Sequence, residues 1–396
     1  IFWHDHFAVS AQKVQNAPFM YQYIETIRKK GVTNFEDLLI AMTRDAAMIE
    51  WLDTRTNVKG KPNENFAREI MELFTLGEGN YTEEDIQEAA RAFTGLTFRF
   101  TNGRNLRNIN DDSLREMIER GEPLLESFVR INFHDTGIKK ILGNEGNFDA
   151  DKVCGLLSAR PETAKYITTK LWEFFAYQNP EPRIQERLSR VFLDGGLNIR
   201  KVLFAIAHSD EFWGEKCINK QVKSPIDFTV SILRQVGVGS VLLRDRLNNP
   251  DLLAEVPRGA TAVMRVLAPS LNNQGMMPLY PPDVAGWDWG EAWLSSATMI
   301  ERIKFGDIWN MPVLTNVITQ NITESIFSKR EIKTEMDFVK EFLLIHDANI
   351  PNDRMQTIVS AFEKAGGLSA VNGRRAGVIY QTLARTLYAV PEFHFC

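Results

Sequence analysis

The sequence predicts a mainly α-helical protein: a large multi-helix globular domain with a small β-hairpin insertion. Three observations predict it. Apolar residues recur at helical spacing along most of the 396 residues. Strand-like alternation is confined to short runs between residues 96 and 143. A content of 44% hydrophobic and 24% charged residues suits a chain that buries an ordinary core. That length accommodates two or three domains or one large one. With no internal repeat or low-complexity tract, the expectation is a single helical domain over residues 1–396.

The elements follow in chain order. Phe2, Trp3, Phe7 and Val9 favour a first helix over 1–14, and further helices are read over 17–29 and 35–43. Pro62 extends the chain and Asn63 serves as N-cap for a helix over 64–76. Phe66, Ile70, Leu73 and Phe74 fall on one side of it. Asn65, Arg68 and Glu72 fall on the other, with Glu69 at the seam. Gly77 and Gly79 supply the stop. Thr82 with Asp85 reads as a variant capping box opening a helix over 83–93, striped by Ile86, Ala89, Ala90 and Phe93. The result is an αα-hairpin with acids on one helix (Glu69, Glu72) and on the next (Asp85, Glu88).

Leu96 to Phe100 alternates at period two, as does much of Phe128 to Phe133. Polar residues 101–127 between them read as a loop holding a short helix over 112–119, and Ile141-Leu142-Gly143 as a third short strand. Helices are then expected over 149–157, 161–177, 183–194, 198–207, 224–236, 250–255, 291–304, 322–328, 335–345, 351–365 and 376–388. Pro161 and Pro225 sit at helix starts, where a missing amide hydrogen costs nothing. Residues 267–290, with Pro269, Pro278, Pro281 and Pro282, read as a long ordered loop.

Composition excludes several classes. A formal net charge of −5 leaves no electrostatic footprint for nucleic acid, so no nucleic-acid partner is expected. No apolar run reaches the roughly 18 residues that a membrane span needs. Cys154, Cys217 and Cys396 are too scattered for a disulfide framework or a zinc knuckle. Ile1 stands where an initiator Met would, which suggests a mature form or a fragment. The phosphate-loop, zincin, nucleophile-elbow and dinucleotide signatures are missing.

Seven ordered runs carry a resemblance: FWHDHF (2–7), NENFAREIMELFTLG (63–77), YTEEDIQEAARAFTG (81–95), FHDTGIKKILG (133–143), RPETAKYITTKL (160–171), KSPIDF (223–228) and PPDVAGWDWGEAW (281–293). Together they resemble a bacterial family catalogued as domain of unknown function 1800. The resemblance implies an uncharacterised bacterial protein, often exported and so periplasmic or extracellular. It also implies a partner encoded by a neighbouring gene, of a family thought to resemble sulfatases and phosphatases. It implies no activity, cofactor or catalytic residue.

The residues themselves nominate candidates. Glu69 and Glu72, one turn apart and faced by Asp85 and Glu88, suit a divalent cation or a shared proton. The plainer alternative is a solvated face tied by Arg68 to Glu72. His4 and His6 lie about 200° apart on a helix, so at most one joins a given ion. His134-Asp135 follows a strand-like run and precedes a Gly turn, where either function or turn chemistry places such residues. If His6, Glu69, Glu72, Asp85 and His134 converge, they make a mixed nitrogen and oxygen metal site, with Glu69, Glu72, His134 and Asp135 as catalytic groups. Trp287, Trp289 and Trp293 beside Asp283, Asp288 and Glu291 either stack on a sugar substrate or anchor the loop. Two functions are therefore expected: a metal-assisted hydrolase of a polymer or ester, or a non-catalytic helical scaffold or binding protein of an envelope assembly. The first needs the nominated acids and His134 in one cleft; the second needs exposed acids and an apolar surface patch.

Overall fold

Capping sets where most helices begin. Asn16, Asn34, Asp45, Thr82, Asp149, Asn198 and Ser224 each accept a backbone N–H from the first turn of the helix they precede. The computed structural model describes residues 1–101, 116–117, 120–242, 258–312, 314, 319–329, 331–371 and 375–396. These are mainly helical, with two small antiparallel two-stranded sheets. The expected helix over 250–255 and most of that over 112–119 lie outside the described residues. Among the described residues, no helix is long and apolar enough to cross a membrane.

The chain forms two compact units. The first is Ile1–Ile218 with Pro278–Trp287, and the second is Asn219–Met277 with Asp288–Cys396. Phe7, Phe35, Phe74, Phe93, Trp172 and Phe192 centre the core of the first. Phe228, Trp309, Phe338, Phe362, Tyr380 and Tyr388 centre that of the second. There, helix Ala376–Tyr388 packs against Ser296–Lys304, Phe305–Asn310 and Asn352–Ala365.

In the first unit, strand Leu96–Phe100 pairs with Leu125–Val129, placing Leu96 opposite Val129 and Arg99 opposite Glu126. The second hairpin is Lys139–Ile141 with Asn144–Gly146. The expected strand at 141–143 is corrected here. Leu142 (φ 49°) and Gly143 (φ 78°) are the two turn residues of that hairpin, both left-handed as a type I′ turn requires.

Other boundaries also differ. The expected helix 1–14 is two, Phe2–His6 and Ala11–Val14, because Ser10 accepts from Gln12 N and starts the second afresh. Asn63 is not the N-cap of the following helix. That position is Glu64, and Asn63 Oδ1 instead accepts from Asn65 N in a local turn. The loop expected from residue 267 is helix as far as Asn273, since Pro269 sits inside helix Arg258–Asn273.

Candidate functional site

Helix Asn65–Glu72 carries Glu69 and Glu72 three residues apart, so both reach the same edge. Glu69 is half-buried. Burial holds its carboxyl above the usual carboxylate range, and the neighbouring Glu72 and Asp283 carboxylates push the same way against Arg68. Glu72 Oε2 accepts a 2.5 Å hydrogen bond from the Tyr81 phenol. Burial raises that phenol, and its bond to Glu72 raises it further. Arg68 does not tie to Glu72 as the sequence suggested. It forks onto Glu83 at 2.7 and 2.9 Å, fastening this helix to the start of the next.

Helix Pro161–Phe175 supplies Tyr166 and Lys170, four residues apart on one face. Tyr166 Oη donates to the Leu73 carbonyl at 3.2 Å. Its phenol is pushed up to about 12, by burial first and then by Glu72. Lys170 Nζ lies 5.4 Å from the centre of the Tyr166 ring. Burial holds that amine below its ordinary value, opposed by Asp5 and Glu173. Gly77 (φ 77°) lets the chain pass the Tyr166 ring, which a Cβ would meet at 3.0 Å.

Helix Phe2–His6 passes beneath. His6 Nε2 donates to the Phe74 carbonyl at 3.1 Å, so Nδ1 carries the lone pair, and it is buried without a hydrogen-bond partner. Burial, then the Lys170 charge, keeps this imidazole well below its ordinary value and therefore neutral. His4 is structural. Leu279 N donates to its Nε2 at 2.9 Å, which assigns the proton to Nδ1, and that donates to Tyr23 Oη. Asp5 Oδ1 accepts from Trp287 N at 2.8 Å. Two of the FWHDHF side chains thus hold the segment that brings Asp283 to Glu69.

The remaining nominated acids are committed to local structure. Asp85 completes the capping box with Thr82, and its other oxygen accepts from Leu142 N at 2.6 Å. Asp135 grips Arg91 through both oxygens at 2.9 and 3.3 Å, which holds its carboxyl down at about 2. Glu88 takes the other arm of Arg91 and the Lys140 amide. His134 Nδ1 donates to the Thr94 carbonyl at 2.8 Å. Among the described residues no three His, Cys, Asp or Glu side chains stand together as a metal-holding group, so His6, Glu69, Glu72, Asp85 and His134 do not form one. Trp287 (6% exposed) and Trp293 (3%) are buried anchors, and half-buried Trp289 packs edge-on against Trp293 at 4.9 Å. Trp287 belongs to the first unit, Trp289 and Trp293 to the second.

The geometry therefore brings together Glu69, Glu72, Tyr81, Tyr166 and Asp283, with Lys170 and His6 behind Tyr166. The family profile described as protein of unknown function DUF1800 matches residues 1–395. The chain belongs to the DUF1800 family. No curated protein and no solved structure matches it. Within this DUF1800 chain, sequence reading missed Tyr81, Tyr166, Lys170 and Asp283 as neighbours of the acid pair. The four-residue spacing of Tyr166 and Lys170 was a visible signal of a shared face. The approach of Asp283, more than 200 positions from Glu69, had none.

Proposed function

We propose that this DUF1800 protein is a hydrolase of a polymer or ester. Glu69 acts as the proton-holding acid, with Glu72, which accepts from the Tyr81 phenol, beside it. The observation that carries the reading is the contrast within the pair: one carboxyl favours its proton through burial and neighbouring acids, while the other accepts a phenol hydrogen bond. Carboxyls whose environments differ in this way are suited to acid and base roles in one reaction. In the metal-assisted form of the reading, Glu69 and Glu72 would hold a divalent cation, which would supply Lewis-acid activation of the substrate or of a water. The proposed setting is the periplasm or cell exterior, to be checked by fractionating the native bacterium.

The test is a screen of chromogenic esters and soluble polysaccharides against the purified protein, with elemental analysis of protein prepared without chelator. Glu69→Gln and Glu72→Gln should each lower kcat by about 100-fold or more without moving the unfolding midpoint. The rate should fall as pH rises through the elevated pKa of Glu69, because the acid must carry its proton. Retained activity in both variants would falsify the reading. A bound metal lost in both variants selects the metal-assisted form.

A second reading, a non-catalytic scaffold or binding protein, is favoured by one observation. Helix Ile199–Ala207 and the turn after it expose Phe204 (60%) and Trp213 (66%). It expects the product of a neighbouring gene to co-purify with the parent and not with Trp213→Ala.

A further inference from the structure

Between the two hairpins of the first unit, the chain leaves three large apolar side chains in water. Ile131 is 79% exposed, Ile138 59% and Phe133 46%. Single exposed apolar residues are ordinary, but three within residues 131–138 are a local concentration of the kind that marks a contact surface. Two of them stand on the short 3-10 turn Ile131–Phe133, whose backbone finds its partners inside the protein. Arg130 N donates to the Gly95 carbonyl at 2.9 Å, Phe133 N to the Arg130 carbonyl at 2.9 Å and His134 N to the Ile131 carbonyl at 3.1 Å. The Phe133 carbonyl accepts from Lys59 N at 2.8 Å. A turn paired in this way brings few orphaned backbone groups with it into an apolar medium.

The charge beside these side chains is positive, in a chain whose formal net charge is −5. Lys59 and Lys61 flank Gly60 in a tight turn, closed by the bond from Lys61 N to the Val58 carbonyl at 2.9 Å, and both are exposed. Neither forms an ion pair with a described residue. The Arg130 guanidinium lies over the Phe133 ring at 4.6 Å, and its Nη2 donates to the Arg55 carbonyl at 3.0 Å. The acids of this region are already matched. Asp135 and Glu88 share Arg91, with the Lys139 ammonium on the Asp135 carbonyl. Glu50 holds Arg55 at 3.1 Å, and Glu145 stands across the second hairpin from Lys140. Lys59, Lys61 and Arg130 are left as an unbalanced positive rim.

We propose that this face docks on an anionic phospholipid surface, with Ile131, Phe133 and Ile138 entering the interface and Lys59, Lys61 and Arg130 meeting the phosphates. Apolar side chains set among cations hold proteins to such membranes by burial and charge together. The long stems of Lys and Arg let their charges stay at the headgroups while the apolar tips sink below them. Projecting side chains also suit a deformable surface, whereas a protein partner would need a matching cavity for each. The face contains neither Glu69 nor Glu72, and the proposal does not depend on the hydrolase reading. It gives the FHDTGIKKILG run (133–143) a role that the acid pair does not.

The test is co-sedimentation of the protein with vesicles of equal parts phosphatidylglycerol and phosphatidylcholine, against vesicles of phosphatidylcholine alone. The parent should bind the anionic vesicles about tenfold or more tightly than the neutral ones, and added salt should narrow that gap. Ile131→Asp should weaken binding to the anionic vesicles by about tenfold or more. Lys59→Gln and Lys61→Gln should each weaken it about fivefold. Trp213→Ala, on the other exposed patch of the first unit, should bind as the parent does. All four side chains are exposed, so the urea midpoints should stay with the parent's, which checks that each variant is folded. A parent that ignores the anionic vesicles, or binds both kinds equally, overturns the proposal, as does an Ile131→Asp variant that binds like the parent. If vesicle binding fails while an acidic protein co-purifies with the parent and not with Ile131→Asp, the face belongs to a protein partner instead.

Discussion

Asp45 makes the clearest single-residue prediction. It is buried, caps helix Ala46–Trp51 through Ala47 N and Met48 N, and is pushed by burial from 3.8 up to about 7. A carboxyl raised in this way favours the folded state while protonated. Its contribution is fully present below 3.8 and is lost as pH rises through about 7. Stability should fall by about 1.4 kcal/mol per pH unit inside that window. Asp45→Asn keeps the capping acceptor without the charge. It should be more stable than the parent to urea at pH 8, with the gap closing towards pH 4; an unchanged gap rejects the account. Gly286 is a second case. It sits at φ 94°, and a Cβ there would collide with the side chain and carbonyl of Asp5. Gly286→Ala should cost about 3 kcal/mol in the urea midpoint, from left-handed backbone plus overpacking. The histidines show what was legible at this scale. The apolar setting of residues 2–9 pointed to a packed imidazole, whereas the proton assignments depended on Leu279 and Phe74, which no local pattern brings near.

At the scale of elements, Arg91 is the fastener between helix Glu83–Ala92 and the loop before the second hairpin. It holds Asp135, Glu88 and the Ile138 carbonyl at once. Arg91→Ala should cost about 2 kcal/mol and speed proteolysis or hydrogen exchange across residues 134–146 before the rest of the chain opens. Uniform exchange would contradict that role. Elements that carry their own punctuation could be read from sequence. The Thr82–Asp85 box and the prolines at 161 and 225 mark helix starts wherever the chain is viewed. Elements whose punctuation is overridden could not. Pro269 signals a break, but the apolar stripe of Val263, Leu267 and Leu271 is buried strongly enough to carry the helix through it. His134-Asp135 could be read as a site or as a turn, and the contacts that fasten it, Arg91 on the Asp135 carboxylate and the Thr94 carbonyl on His134 Nδ1, come from residues that no local pattern brings near.

For the molecule as a whole, the buried hydrophobic residues fall into two clusters, a division the sequence does not show, since period and composition report burial but not which buried residues meet. Two cores predict two thermal transitions in calorimetry. Phe338→Ala, in the second core, should lower one of them by about 4 kcal/mol and leave the other in place; a single transition lowered as a whole would support one cooperative domain. The excursion of Pro278–Trp287 into the first unit also has a consequence for biosynthesis. When Ile218 leaves the ribosome, His4 still lacks Leu279 and Asp5 still lacks the Trp287 amide. The 69 residues from 219 to 287 must be made first, which takes about 3–14 s at usual elongation rates. During that interval the nascent first unit presents an unsealed aspartate and histidine, a window in which a chaperone or a translocation channel meets an incomplete fold.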